Sequence, residues 1–132
     1  MYAFTVEMTI PFNDFQDAVG KVKEALAAEK MGVVMEINPQ GIFKNKLGVD
    51  IPGYMVLGAC VPTLAKRVID AEPDGAALLP CNVVVRETAD GKVFVAFMDP
   101  KSVLGLANNP ELDSVAADAT EELKRVEARL VA

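Results

Sequence analysis

Residues 2–10 alternate in character. Tyr2, Phe4, Val6, Met8 and Ile10 fall on one side, with Thr5, Glu7 and Thr9 on the other. This period of two predicts a half-buried strand, which Pro11 ends. The spacing then lengthens to three and four. Phe15, Ala18, Val19, Val22 and Leu26 form the buried stripe of a helix that Asn13 can cap and that runs to about residue 30. Gly20 interrupts this helix, and close packing on a sheet is expected there. Gly32 releases the chain into a second strand over residues 33–37. Asn38-Pro39 reads as a cap followed by proline at the first helical position, opening a short helix to Leu47 that Gly48 closes. A third strand covers residues 54–60. Pro62 and Thr63 open another short helix, which must stop before Pro73. Residues 77–87 and 92–98 read as the fourth and fifth strands, joined by the hairpin signal Thr88-Ala89-Asp90-Gly91. Asn109-Pro110 starts the last helix, whose stripe is Leu112, Val115, Ala116, Ala119, Leu123, Val126 and Leu130. Acidic residues crowd its first half and Lys124, Arg125 and Arg129 lie near its end, as the helix dipole favours.

Two long helices and about five strands in this order predict a single α+β domain over residues 1–132. The helices cover one face of a mainly antiparallel sheet, and short helices connect the strands. Residues 33–35, 54–60, 83–85 and 93–98 are apolar on both faces, whereas a solvated sheet face alternates. An apolar face without a helix over it is an interaction surface. A two-fold homodimer through the sheet is the simplest cover. A ligand cavity under the sheet is the other.

Composition narrows the function classes. The chain of 132 residues is 52% hydrophobic and 24% charged, with a formal net charge of −6. An acidic surface argues against nucleic acid and against anionic membranes, both of which are bound largely through Lys and Arg. The N-terminus carries no basic leader, and the uncharged stretch 51–65 is broken by Pro52 and Pro62. A cytoplasmic location is therefore expected, where the two cysteines stay reduced. There is no histidine, so the usual general base, proton shuttle and commonest metal ligand are missing. No C-x-x-C spacing, glycine-rich phosphate loop or serine elbow occurs. Neither a cofactor nor a metal is expected, and no catalytic residue is assigned.

What chemistry remains rests on Cys60, in Gly-Ala-Cys-Val-Pro, and Cys81, in Leu-Leu-Pro-Cys-Asn-Val. Cys60 ends its strand and Cys81 lies near the start of the next, so antiparallel pairing is expected to bring the thiols into one neighbourhood. Pro80 cannot donate to a sheet ladder, which makes the backbone beside Cys81 irregular. The candidate site comprises Cys60, Cys81, Tyr54, Asn82, Pro62 and Pro80. Two readings stay open. Free cysteines are most often small buried hydrophobes. A reactive pair would need an exposed thiol made acidic by a helix N-terminus or a cation. The helix opening at Pro62 can supply such a field to Cys60, whereas strand parity puts Arg86 on the face opposite Cys81. Zinc would need four cysteines drawn from two chains.

Several segments together carry a family resemblance. They are Ala25-Leu26 through Met31-Gly32-Val33-Val34, Lys46-Leu47-Gly48-Val49, Tyr54-Met55-Val56-Leu57-Gly58-Ala59-Cys60 with Pro62, Leu78-Leu79-Pro80-Cys81-Asn82-Val83-Val84-Val85, and Asp99-Pro100. The chain resembles domain of unknown function 302, a family of bacteria and archaea, over nearly its whole length. It departs at Val61, where members often carry a polar residue, and at Met31, a frequent aromatic. The resemblance implies a single-copy fold similar to the TATA-box-binding-protein-like β-α-β4-α architecture, as a homodimer, and it brings no activity with it. DNA binding does not carry over, since function lives in sites and this chain is acidic. The expected function is a homodimeric, non-catalytic binding or accessory module. Its pocket or sheet surface would lie near Cys60 and Cys81 and take a small apolar ligand or a partner protein. The alternative is a thiol-dependent sulfur-transfer or redox protein using those two residues.

Overall fold

The computed structural model describes residues 1–132. Its strands are β1 (Ala3–Glu7), β2 (Gly32–Ile37), β3 (Tyr54–Cys60), β4 (Cys81–Glu87) and β5 (Val93–Met98). They form one antiparallel sheet in the order β1-β5-β4-β3-β2. The helices are α1 (Phe15–Ala28), α2 (Pro39–Leu47), α3 (Pro62–Ala71), α4 (Pro100–Leu104) and α5 (Asp113–Arg129). This is the α+β architecture that the periodicities predict.

Strand register explains the main core. Leu57 lies opposite Val83, Val83 opposite Phe97, and Phe97 opposite Phe4, so one row of large apolar side chains crosses the sheet. Met55, Val85, Val95 and Val6 form the next row on the same face. The Phe4 and Phe97 rings stack at 5.3 Å. Val19, Val22 and Leu26 of α1, with Leu123 and Val126 of α5, close over these rows and are almost fully buried. Each such side chain contributes about 1.5–3 kcal/mol relative to leaving it exposed. Glu29, just beyond α1, accepts from Arg125 and Arg129 of α5 at 2.7 Å each and ties the two helices together.

The helix ends follow their local chemistry. α2 forms as predicted. The Asn38 side chain accepts from the Gly41 N–H at 3.1 Å, Pro39 takes the first helical position, and Gly48 turns left-handed at φ 65°. The cap of α1 is Asp14, one residue beyond the expected Asn13. Asp14 accepts from the Asp17 N–H while Asp17 accepts from the Asn13 N–H, both at 2.8 Å, and this reciprocal box outweighs a lone asparagine cap. A Cβ at Gly20 would meet nothing within 4 Å, so the close packing expected there does not occur.

Two segments depart from expectation. The apolar stretch from Ala77 does not begin β4. Residues 75–78 wind as a 3-10 turn, the Leu79–Pro80 peptide is cis, and the strand starts at Cys81. Asp99-Pro100, beyond the end of the last predicted strand and in no predicted element, opens α4, with the Asp99 side chain accepting from the Lys101 N–H at 3.1 Å. Both segments help to build a second, smaller core. Val68 of α3, Leu104 of α4 and Val115 and Ala116 of α5 pack there with Leu112. Arg67 of α3 pins the assembly to α5, reaching Asp118 at 2.9 Å and Ser114 at 3.0 Å.

The opposite face of the sheet lies away from both long helices. Register places Ile37, Val56, Val84 and Ala96 along its middle, beside a row of Tyr54, Arg86, Phe94 and Glu7.

Candidate ligand cavity

The two cores meet at the end of β3 and the start of β4, and there they leave space. A cavity of about 240 Å³ opens at this seam, lined almost entirely by apolar side chains. Leu64 and Val68 of α3 bound it on one side and Val115 and Ala119 of α5 on another. Small residues account for the void. Ala59, Ala65, Ala76 and Ala119 all face it, from four different elements, and none can fill it. Protein interiors otherwise pack to near-crystalline density, so such a gap is a feature to be explained.

The mouth lies between β2 and α3. Val34 and Ile69 both line the cavity, yet they are 61% and 45% exposed. Val34 owes its position to an irregularity in β2. The pairing with β3 shifts between Val33 and Met35, which leaves Val34 without a partner opposite it. A bulge of this kind re-aims a side chain at the sheet edge.

Of the six candidate residues, three contribute to the cavity: Cys60, Cys81 and Pro80. The other three lie elsewhere. Tyr54 sits at the far end of β3 opposite Arg86, on the face away from the long helices. Asn82 is exposed on that same face, opposite Gly58. Pro62 occupies the start of α3, exposed and outside the cavity. Pro80 is held tightly, since a Cβ on Gly58 would lie 2.7 Å from its Cγ.

The thiols do not form the expected close pair. Ala59, not Cys60, lies opposite Cys81, and Cys60 lies opposite Gly32. Both cysteines are free. Cys81 is buried, and burial pushes its thiol up to about 11, with the Cys60 thiol and the Glu122 carboxylate adding to the effect. A thiol held protonated at neutral pH is a poor nucleophile. No group of three or more Cys, Asp or Glu side chains is placed to hold a metal ion.

The residues that sequence reasoning passed over are the cavity's other walls, Leu64, Val68, Val115 and Ala119. A signal for them existed. The short helix after Pro62 carries an apolar side, and the two long helices already cover the sheet, so α3 needed another surface to bury against.

The family described as Domain of unknown function DUF302 matches residues 6–130. The chain belongs to the DUF302 family. It is similar to a crystal structure of an uncharacterized conserved protein DUF302 from Bacillus stearothermophilus. The two share 25% identity, 98% of each chain is covered, and the TM-score is 0.86. No curated protein matches the chain. In this DUF302 domain the segments carrying the resemblance include Met31 to Val34, Ala59-Cys60 and Leu79-Pro80-Cys81, and these supply much of the cavity wall. No helix is long and apolar enough to cross a membrane.

Proposed function

We propose that this DUF302 domain is a homodimeric, non-catalytic binding module that holds a small apolar ligand between α3, α5 and the β3–β4 end of the sheet. The observation that carries this reading is the apolar cavity with a mouth at Val34 and Ile69. An engineered apolar cavity of about 150 Å³ stays dry and takes up benzene. The larger volume here suits an aromatic ring with a short substituent, or a medium alkyl chain.

Absence of histidine and a protonated Cys81 support a binding role over a catalytic one. The raised Cys81 thiol likewise speaks against Cys81 as an attacking thiol in a sulfur-transfer or redox role. A second copy is the occupant we assign to the open sheet face. Its apolar centre is flanked by Glu7 and Arg86 in one row, so a two-fold arrangement can set Arg86 of one protomer against the partner's Glu7.

Native mass spectrometry of freshly purified protein tests both halves. The expected spectrum shows twice the chain mass with a small, dissociable organic adduct. A bare monomer that gains no mass on incubation with alkylbenzenes contradicts the reading.

A further inference from the structure

Three of the side chains that line the cavity carry sulfur: Met31, Cys60 and Cys81. Register fixes where the Cys81 thiol points. Ala59 of β3 lies directly opposite Cys81 of β4, and residues opposite one another in an antiparallel pair project from the same face. Both line the cavity, so the Cys81 thiol faces it from the sheet. Met31, almost fully buried just before β2, brings a thioether on a flexible chain to the same space. The remaining walls are aliphatic. No charged side chain, no hydroxyl or amide side chain and no aromatic ring lines the cavity.

Walls of this make-up exclude most head groups. A carboxylate, an ammonium or an amide carried inside would lose its water and find no side-chain partner. Among uncharged hydrocarbons, sulfur discriminates. An aromatic ring has a negative face and a positive edge. A thioether sulfur is attracted to such a ring, often at its edge, from about 5 Å. A thiol that keeps its proton can turn its weak S–H donor to the ring face, and burial keeps the Cys81 thiol protonated at neutral pH. A saturated ring offers neither pole. We infer that the cavity selects an uncharged aromatic hydrocarbon of the alkylbenzene class over its saturated counterpart, with the sulfurs of Met31 and Cys81 making the choice. This rests on the cavity reading above and narrows it from apolar molecules in general to aromatic ones.

The test compares ethylbenzene with ethylcyclohexane, which share one carbon skeleton and differ in the ring alone. Uptake is measured by the fall in headspace concentration over a solution of the purified protein. Each affinity is divided by the compound's partition from water into hexane, so that hydrophobicity as such cancels. Two sulfur contacts of about threefold each should give the wild type a preference for ethylbenzene of about tenfold. The double variant Met31→Leu/Cys81→Val removes both sulfurs at nearly the original bulk and should bring the preference close to parity. Met31→Leu alone should lower it about threefold, and it decides the matter if the double variant does not fold. A wild-type preference below threefold, or one that the folded variant lowers by less than twofold, overturns the sulfur selection and leaves the cavity reading standing. If the wild type takes up neither compound, the cavity reading falls and the inference with it.

Discussion

Replacing Ala119 by leucine puts three further carbons into the seam between the two cores. Ala119 is buried and faces the cavity from α5. Burying those carbons contributes about 0.8 kcal/mol each, or about 2.4 kcal/mol together. Fixing a leucine rotamer costs about 0.5–1 kcal/mol. Leucine is nearly as good a helix former as alanine, so α5 itself loses little. The net expectation is a stabilisation of about 1.5 kcal/mol, read as a higher urea midpoint with an unchanged slope. For a chain of this size that corresponds to a melting temperature about 6 °C higher. In a filled interior the same change would cost about 1–3 kcal/mol through strain, so the sign decides. Ala119→Leu should also abolish uptake of 4-ethyltoluene, because the added side chain takes the ligand's place. A variant destabilised by more than about 1 kcal/mol would mean that the seam is already packed, and the reasoning would fail.

Cys81 should alkylate far more slowly than a free thiol in native protein at neutral pH. Raising the thiol from 9.0 to about 11 lowers its thiolate fraction roughly a hundredfold before steric shielding from the reagent is counted, and peptide mass mapping after timed iodoacetamide exposure measures this. Glu29 sits below the ordinary carboxylate value of 4.5 because Arg125 and Arg129 donate to it. Its stabilising contribution is therefore present above that value and lost as the pH falls through the folded one. Denaturation curves of Glu29→Gln and wild type should accordingly differ at neutral pH and converge in acid. Gly58→Ala should destabilise by about 1–3 kcal/mol, since the new Cβ would lie 2.7 Å from Cγ of Pro80 and 3.2 Å from Cβ of Met35. Wild-type stability in that variant would show that the Pro80 wall yields easily.

Much of the fold is legible because a residue's spacing reports which way it faces. Val22 and Leu26, or Val83 and Val85, announce a buried stripe or face with no knowledge of the partner, and the bounds of β3 and α2 follow from adjacent turn and cap residues. The stretch Ala76-Ala77-Leu78-Leu79 is harder. It is as apolar as a buried strand, and only its packing against α3 makes it a turn. Tyr54 and Asn82 lie away from the cavity for a related reason. Parity tells which face a strand residue occupies, but not which end of the sheet a crossover helix will cover. The cysteine motifs lie at the cavity's end of the sheet. The cavity itself depends on where α3 comes to rest on α5, and no local pattern carries that information.

Methyl-resolved NMR titration with 4-ethyltoluene tests the central claim most directly. The account predicts saturable shifts at Leu64, Val68, Val115 and Ala119, with Val56 and Val84 on the open sheet face unmoved, and loss of all these shifts in Ala119→Leu. Shifts confined to the open face, or none at millimolar ligand, would contradict it.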